Sequence, residues 1–412
     1  MRQTQLFTKT SKQLNQEETS ANAQLLVRGG YIDKLMAGVY TLLPLGRRVV
    51  DHIEQIIREE MDAVAGQEVS MPALQPKDNW VKTGRWDSMR DILYTIKDEA
   101  GHEYTLGPTH EEIVVPLAKQ FIQSYKDLPI SIYQFQSKFR KELRPKSGIL
   151  RGREFLMKDM YSFHATVEDL DAYYERVTAA YLRVFTRLGL QDVTYLTYAS
   201  GGVFSKYSHE FQTVTPAGED TIYICDGCRL AINHEIRHET PHCPSCGKDQ
   251  FTTAKAIEVG NIFKLMTKFS EPFGLGFTDA SGARLPVIMG CYGMGLTRLL
   301  GTIVEIDHDE KGIIWPEAVA PYRVHLLNLS KDSVQADAAY ASLQAAGVSV
   351  LYDDRLVSPG VKLGDADLLG LPQRVVISQK TGTNVEVKLR SQPDSQLIPF
   401  DQLLATLTTP NV

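Results

Sequence analysis

This chain of 412 residues has no long apolar run, no surplus of positive charge and few cysteines. No run approaches the roughly 18 apolar residues that a membrane-spanning helix needs, and residues 1–5 are polar, which argues against a secretory signal. The 44 basic and 50 acidic residues give a net charge of −6, so nucleic acid would have to bind at a local basic patch. We therefore expect a cytoplasmic protein without a membrane anchor.

The composition is that of an ordinary globular protein, with 43% hydrophobic and 23% charged residues. Its length suggests about two to four domains. Apolar residues at helical spacing predict helices over 47–64, 113–125 and 168–188. Alternating patterns predict two antiparallel strands, 132–140 and 155–163, joined by a loop.

The pattern changes near residue 320, where Pro316 and Pro321 interrupt the chain. Beyond them short apolar strands alternate with helices, beginning with a strand at 323–329. This alternation predicts a small mixed α/β domain of about 90 residues. The sequence therefore predicts two domains, over 1–320 and 321–412.

Four of the five cysteines form two pairs within 22 residues, Cys225-x-x-Cys228 and Cys243-x-x-Cys246. In a reducing compartment this spacing predicts a closed structural zinc site and a small zinc-ribbon-like fold over 221–250. Four unligated buried thiols are the alternative. The fifth cysteine, Cys291, is expected either to line a pocket or to pack in the core.

The segment 139–155 carries the strongest local chemical signal. Arg140 and Glu142 are two residues apart at the end of one predicted strand, and Arg151 and Phe155 return with the partner strand. Guanidinium groups bind phosphate oxygens in a bidentate manner, a carboxylate accepts from an exocyclic amine, and an aromatic ring can stack on a base. The combination suits a nucleoside triphosphate, whereas a charged hairpin on a solvated face is the alternative.

A second motif, at 290–300, is a predicted glycine-rich turn from strand to helix that contains Gly293 and Arg298. Together with the hairpin, and with Pro72 after the first long helix, it resembles the three signature motifs of class II aminoacyl-tRNA synthetases. Longer strings resemble bacterial-type prolyl-tRNA synthetases: TLGPTHEE at 105–112, REFLMKDMYSFH at 153–164, SHEF at 208–211 and EVGNIF at 258–263.

This resemblance implies an α/β (α+β) protein with an antiparallel-sheet catalytic core and a C-terminal mixed α/β anticodon-binding domain. The catalytic core would cover 1–320, with the zinc-ribbon-like segment as an insertion, and the anticodon-binding domain would cover 321–412. The implied reaction is the activation of L-proline by ATP with Mg²⁺, followed by transfer of the prolyl group to tRNA(Pro). The implied assembly is a homodimer formed through the segment that ends at Pro72.

The resemblance also implies roles for individual residues. Arg140 would be the catalytic residue, bridging the proline carboxylate and the α-phosphate. The implied proline site comprises Thr109, Glu111, Arg140, Phe163 and His164. The implied ATP site comprises Arg140, Glu142, Arg151, Phe155, Glu258, Asn261, Gly293 and Arg298. The implied Mg²⁺ ligands are Glu210 and Glu258. The implied anticodon-domain contacts to tRNA are Asp354, Arg355 and Lys362.

Local charge adds a second expectation about tRNA. Residues 138–158 hold eight basic and two acidic side chains in an otherwise acidic protein. A solvated face is the usual explanation of such a run, but here the loop connects two strands of the expected ATP site. We therefore expect Arg144 and Lys146 to contact the tRNA acceptor stem.

Two departures from the family pattern are visible. Bacterial relatives often carry a large editing domain between the second and third motifs, but only 134 residues separate Phe155 from Gly290 here. We therefore expect no hydrolysis of alanyl-tRNA(Pro) by this chain. Asn261 and Met266 also stand where the family usually has histidine and glycine, which predicts altered detail near ATP rather than lost activity.

Overall fold

The computed structural model describes residues 1–11, 20–202 and 204–408. The chain forms two compact units. The central unit comprises Met36–Val39 and Ile53–Thr302, and the flanking unit comprises Met1–Leu35, Tyr40–His52 and Ile303–Val412. The division at residue 320 into catalytic and anticodon-binding domains stays a prediction.

The central unit is built on a nine-stranded sheet. In spatial order the strands are Tyr207–Val214, Thr194–Ser200, Ala231–Asn233, Asp220–Cys225, Phe251–Met266, Ile288–Gly295, Glu154–His164, Ile130–Phe139 and Gly66–Glu68. Neighbouring strands are antiparallel except for two parallel pairs at Ala231–Asn233 and Gly66–Glu68. Tyr207–Val214 also pairs with Phe251–Met266.

Smaller elements complete the central unit. The short strands are Leu74–Pro76, Tyr94–Lys97, Glu103–Leu106, Gly276–Thr278 and Arg284–Pro286. The helices are Lys77–Lys82, Arg85–Ser88, Glu111–Phe121, Val167–Arg187 and Ser270–Phe273. Two further helices, Pro44–Asp62 and Leu296–Ile306, and the strand pair Ile32–Met36 and Val39–Leu42 include residues of both units.

The flanking unit contains a five-stranded mixed sheet in the order Val350–Asp353, Val324–Asn328, Gln373–Ile377, Asn384–Leu389 and Ser395–Pro399. The first three strands are parallel and the last two are antiparallel. The helices are Ala21–Arg28, Val334–Ala345, Pro359–Leu369 and Phe400–Thr408, and the strands His308–Asp309 and Gly312–Ile313 form a small pair. The predicted mixed α/β architecture is confirmed.

The helix Glu111–Phe121 begins two residues earlier than the sequence predicts. Pro116 therefore lies beyond the first turn, where it cannot donate a hydrogen bond to the carbonyl oxygen of Glu112. The side-chain amide of Asn79 donates to that oxygen at 2.9 Å. The early start brings Glu111 and Glu112 into the first helical turn.

The strand Glu154–His164 separates two environments because successive side chains point to opposite faces of a sheet. Tyr161 and Phe163 pack in the apolar cluster that also contains residues of the helix Glu111–Phe121. Lys158 and His164 lie on the other face, against tyrosines of the helix Val167–Arg187. No helix among the described residues is long and apolar enough to cross a membrane.

Candidate active site

A cleft of about 270 Å³ opens on the central sheet. Six of the eight residues predicted for ATP line it, namely Arg140, Glu142, Arg151, Phe155, Glu258 and Arg298. The other two, Asn261 and Gly293, line an adjoining recess. A Cβ at Gly293 would lie 2.8 Å from the side-chain oxygen of Asn261, so a larger residue here would displace the Asn261 side chain.

Arg140 lies just beyond the end of its strand, which the sequence extends one residue too far. Its backbone N–H donates to the carbonyl oxygen of Arg153 at 2.9 Å, which holds the two arms of the hairpin together. Its guanidinium carbon is 5.1 Å from the centre of the Phe155 ring. Burial lowers the pKa of Arg140, and the charge of Arg298 lowers it further, but a guanidinium remains charged at physiological pH.

Arg298 and Glu258 also line the cleft and contact each other. Nη1 of Arg298 donates to the backbone oxygen of Glu258 at 2.7 Å and lies 3.3 Å from its carboxylate. The amide of Asn261 donates to the other carboxylate oxygen at 2.7 Å. Asparagine thus keeps a polar contact at the position where the family usually has histidine.

Arg151 is held between two carboxylates at the mouth of the cleft. Its Nε lies 2.9 Å from Glu142 and its Nη1 lies 2.7 Å from Glu219. Glu219 also lies 3.4 Å from the ammonium of Lys146. Sequence reasoning missed Glu219, since no local pattern distinguishes it from other surface acids.

Three carboxylates, those of Glu210, Asp220 and Glu258, lie near one another on the central sheet. The amide of Gln212 donates to Glu210 at 2.9 Å and to Asp220 at 2.8 Å. Burial, reinforced by the charge of Glu258, raises the pKa of Glu210 to about 8. Burial also raises the pKa of Asp220, which the sequence did not single out. Such crowding of carboxylates is relieved by a cation.

Thr109, which is partly exposed, and the fully buried Glu111 form a second candidate site in the same unit. The Thr109 hydroxyl donates to Glu111 at 2.5 Å, and the Cys291 thiol lies 3.5 Å from the other oxygen. Nη1 of Arg85 donates to Glu111 at 3.1 Å. Phe163 is 1% exposed and packs in the apolar cluster on this face of the sheet.

The prediction that His164 lines the proline site is corrected by the structure. Its ring nitrogens bond Asp169 at 2.7 Å and Ser162 at 2.8 Å, and its ring packs against Tyr173. Because His164 directly follows Phe163 on a strand, the two side chains lie on opposite faces of the sheet. His164 therefore cannot line the same site as Phe163.

The residues predicted to contact tRNA divide into two groups. Arg144 and Lys146 are exposed on the hairpin loop. In the flanking unit, Arg355 pairs with Asp353 at 2.7 Å, and Lys362 is 4% exposed, donating at 2.7 Å to the carbonyl oxygen of Asn328. These contacts give Lys362 a structural role and leave its charge inaccessible to RNA, which corrects that prediction.

Asp354 is half-buried beside the N-terminal residues of the flanking unit. It accepts from the guanidinium of Arg2 at 3.3 Å and from the hydroxyl of Thr4 at 2.8 Å. Its other carboxylate oxygen accepts from the backbone N–H of Thr4 at 3.0 Å, so both oxygens are bonded to protein.

The four paired cysteines converge as the sequence predicts. Cys225, Cys228, Cys243 and Cys246 are all free, and their sulfur atoms lie within 4.8 Å of one another. Thiolates at about 2.3 Å from a tetrahedral zinc are about 3.8 Å apart. The donor set and its spacing fit zinc.

Two known protein families match the sequence of this chain. Residues 94–307 match the family described as tRNA synthetase class II core domain (G, H, P, S and T), and residues 323–409 match the anticodon binding domain family. The fold and the site therefore define a class II aminoacyl-tRNA synthetase.

Two curated relatives, both named proline–tRNA ligase, narrow the assignment. The one from Anaplasma marginale is 38% identical over 427 aligned positions, covering 99% of this chain and 100% of the relative. The one from Dehalococcoides mccartyi strain 195 is 33% identical over 563 positions, covering 99% of each. The chain belongs to the prolyl-tRNA synthetase family. The 563 positions exceed the 412 residues of this chain, so the second relative contains additional sequence.

Solved structures support the fold. The prolyl-tRNA synthetase of Giardia lamblia in complex with prolyl-adenylate has a TM-score of 0.77 at 18% identity, with 92% of this chain and 74% of that chain covered. The Cryptosporidium parvum enzyme complexed with halofuginone and AMPPNP has a TM-score of 0.76 at 19% identity, with 93% and 73% covered.

Proposed function

We propose that the cleft activates L-proline with ATP and that the protein then transfers the prolyl group to tRNA(Pro). The observation that carries this proposal is the convergence of Arg140, Phe155 and Arg298 in one cleft. The names of the curated relatives and the prolyl-adenylate complex of the Giardia structure point to the same substrates.

In the first step an oxygen of the proline carboxylate attacks the α-phosphorus of ATP. A carboxyl–phosphate bond forms, the bond to the β-phosphate oxygen breaks, and pyrophosphate leaves with its electron pair. Arg140 stabilises the charge that develops on the α-phosphate, because its guanidinium lies in the cleft and its Nη2 is 3.4 Å from the carbonyl oxygen of Pro108, next to Thr109 of the proposed proline site. No protein nucleophile is needed, since positioning and charge stabilisation account for the chemistry.

The remaining cleft residues hold ATP. Phe155 and Arg298 enclose the adenine ring, Glu142 accepts from its amino group, and Arg151 binds the γ-phosphate. Asn261 and Gly293 line the recess beside the nucleotide, and Asn261 holds the carboxylate of Glu258.

Mg²⁺ bound together with ATP would be held by phosphate oxygens and one or two carboxylates, the ligands that this hard cation takes. Glu210 and Glu258 are the proposed ligands. Asp220 joins them as a further acidic group, because Gln212 links it to Glu210. A bound cation would favour the ionised form of Glu210, whose pKa is raised to about 8.

Proline binds at Thr109 and Glu111, where the buried carboxylate receives the secondary ammonium. Phe163 supports this site from the apolar side.

In the second step the terminal ribose hydroxyl of tRNA attacks the prolyl carbonyl and AMP leaves. Arg144 and Lys146 guide the acceptor end, since both are exposed on the loop beside the cleft, while Asp354 and Arg355 contribute to the surface that meets the anticodon arm.

The protein works in the cytoplasm as a homodimer, formed through the segment that ends at Pro72. It does not edit alanyl-tRNA(Pro), because the segment between Phe155 and Gly290 is used by the sheet, one long helix and the cysteine segment. The Anaplasma relative, aligned over only 427 positions, is similarly short.

Aminoacylation tests the proposed function. Purified protein, ATP, Mg²⁺ and labelled proline should convert a tRNA(Pro) transcript to prolyl-tRNA, and a tRNA with a different anticodon should be a poor substrate. Charging with another amino acid in preference to proline would overturn the proposal.

The cysteine segment should bind about one equivalent of zinc. The shell of four thiolates is closed, so a chelator should loosen this segment and leave pyrophosphate exchange largely intact. Elemental analysis of protein purified without chelator measures the zinc. Cys228→Ser should reduce the zinc content, whereas Cys291→Ser, which removes the thiol outside the cluster, should not. Less than about half an equivalent in the unaltered protein would contradict the proposal.

A further inference from the structure

Arg85 is a buried cation beside the proposed proline site, and no step described above uses it. It is 4% exposed, and its Nη1 donates to Glu111 at 3.1 Å and to the two oxygens of Glu112 at 3.1 and 3.2 Å. Burial lowers the pKa of Arg85, but the negative charges of Glu112 and Glu111 raise it by more. The pKa of Arg85 is therefore higher than its usual value. The guanidinium is therefore positively charged.

Three aromatic rings surround this guanidinium. Its central carbon lies 5.2 Å from the ring centre of Trp80, 5.0 Å from that of Phe204 and 5.2 Å from that of Phe269. Among the described residues, Nη2 of Arg85 has no hydrogen-bond partner. The rings and the bonds of Nη1 hold the group in one place, and the cation–π contacts offset part of its desolvation.

Glu111 and Glu112 are adjacent in sequence and both fully buried. Two ionised carboxylates beside one guanidinium leave one net negative charge, which is costly to bury without a partner. Burial raises the pKa of Glu112 to about 7, with Arg85 opposing the shift and Glu111 adding to it. The Thr83 hydroxyl donates to Glu112 at 2.8 Å.

Among the other ionisable groups nearby, Arg140 interacts electrostatically with both Glu111 and Arg85, but its charge is assigned above to the proline carboxylate and the α-phosphate rather than to the ammonium. Lys138 and Asp159 form an ion pair at 2.7 Å and cancel each other. His110 is neutral, because burial lowers its pKa to about 4. The buried Tyr161 and Cys291 have their pKa values raised by burial and remain protonated.

We propose that Arg85 sets the charge of the proline site: it cancels one of the two adjacent carboxylates and fixes Glu111, so that one net negative charge remains for the substrate ammonium. This inference rests on the proposed function. Arg85 is a positioning residue, because it contacts Glu111 and Glu112 rather than the substrate. The site would therefore favour a cationic amine and bind a zwitterionic amino acid more tightly than an uncharged analogue.

A double-mutant cycle tests the charge balance separately from folding. Arg85→Met leaves two negative charges and Glu112→Gln leaves none, so each single variant should raise the proline KM about tenfold or more, with the ATP KM changed less than about twofold. The double variant Arg85→Met with Glu112→Gln restores one negative charge and should recover most of the lost affinity. Arg90→Met, at an exposed arginine five residues away, is the matched control.

Two outcomes would overturn the proposal. If Arg85 has only a structural role, the double variant will be at least as impaired as the worse single variant. If Glu112→Gln, which changes one atom of a buried side chain, leaves the proline KM unchanged while the protein melts normally, the charge balance is irrelevant. Absence of proline-dependent exchange in the unaltered protein would instead refute the proposed function, so the two failures are distinguishable.

The pH dependence gives an independent readout. Glu112 is charged above its pKa of about 7 and neutral below it, so the affinity for proline should fall as the pH drops from 8 to 6. In Glu112→Gln the affinity for proline should no longer change with pH over this range, whereas the pH dependence of the affinity for ATP should stay the same. If the affinity of the Glu112→Gln variant for proline still fell between pH 8 and pH 6, Glu112 would not be the group responsible for the pH dependence.

Discussion

Replacing Arg140 by alanine is expected to lower kcat for proline-dependent ATP–pyrophosphate exchange by about a hundredfold or more. The guanidinium lies at the junction of the cleft and the loop before Thr109, where its Nη2 is 3.4 Å from the carbonyl oxygen of Pro108. Its charge is most useful when negative charge builds on the α-phosphate, so the loss should appear in kcat and kcat/KM together.

The same loop offers a matched control for Arg140→Ala. Lys141 is exposed and follows directly in the sequence, so Lys141→Ala removes a neighbouring positive charge and should retain near-normal exchange. Melting curves of both variants should match that of the unaltered protein. Near-normal exchange by Arg140→Ala would refute the assigned mechanism.

Glu111→Gln is expected to raise the proline KM by about ten- to a hundredfold while the ATP KM stays nearly constant. A charge-assisted hydrogen bond to a desolvated ammonium contributes about 1.5–3 kcal/mol, which corresponds to that range. Glutamine keeps the size of the side chain and the acceptor for the Thr109 hydroxyl, but it loses the charge that the ammonium needs. Steady-state exchange kinetics with each substrate varied in turn measure the two constants.

A surface control separates the loss of a site charge from the general loss of a carboxylate. Glu99 is exposed on the loop before the strand Glu103–Leu106, so Glu99→Gln should leave both constants unchanged. Equal increases in the proline and ATP constants for Glu111→Gln would place Glu111 outside the proline site.

The hairpin and the long helices were predictable because their patterns are local. The strands Ile130–Phe139 and Glu154–His164 match the predicted pair, and Thr166 caps the helix Val167–Arg187 by accepting from the N–H of Asp169 at 3.2 Å. The long helix Pro44–Asp62 likewise follows its apolar periodicity. In each case the residues that determine the element lie within it or directly beside it.

Other elements depend on partners distant in sequence, which local reasoning cannot see. The segment 290–295 was expected to be a turn but is part of the strand Ile288–Gly295. Its glycines permit close packing, since a Cβ at Gly290 would lie 2.3 Å from the hydroxyl of Tyr292. The helix Pro359–Leu369 was missed because the buried Lys362 and Asp365 interrupt its apolar pattern.

The residues of the candidate site likewise divide into those that the sequence identified and those that only the folded structure brings together. The resemblance supplied the ATP residues, whereas Arg85, Glu219 and Asp220 become visible only through their contacts with Glu111, Arg151 and Gln212. The error over His164 was avoidable, because alternation along a strand already excludes a shared site for Phe163 and His164.

The most direct test of the central claim is amino-acid-dependent exchange of labelled pyrophosphate into ATP, measured with the purified protein and each of the twenty amino acids. The cleft and the Thr109–Glu111 site together predict exchange that requires Mg²⁺ and is fastest with proline. No exchange with proline, or faster exchange with a different amino acid, would contradict the account.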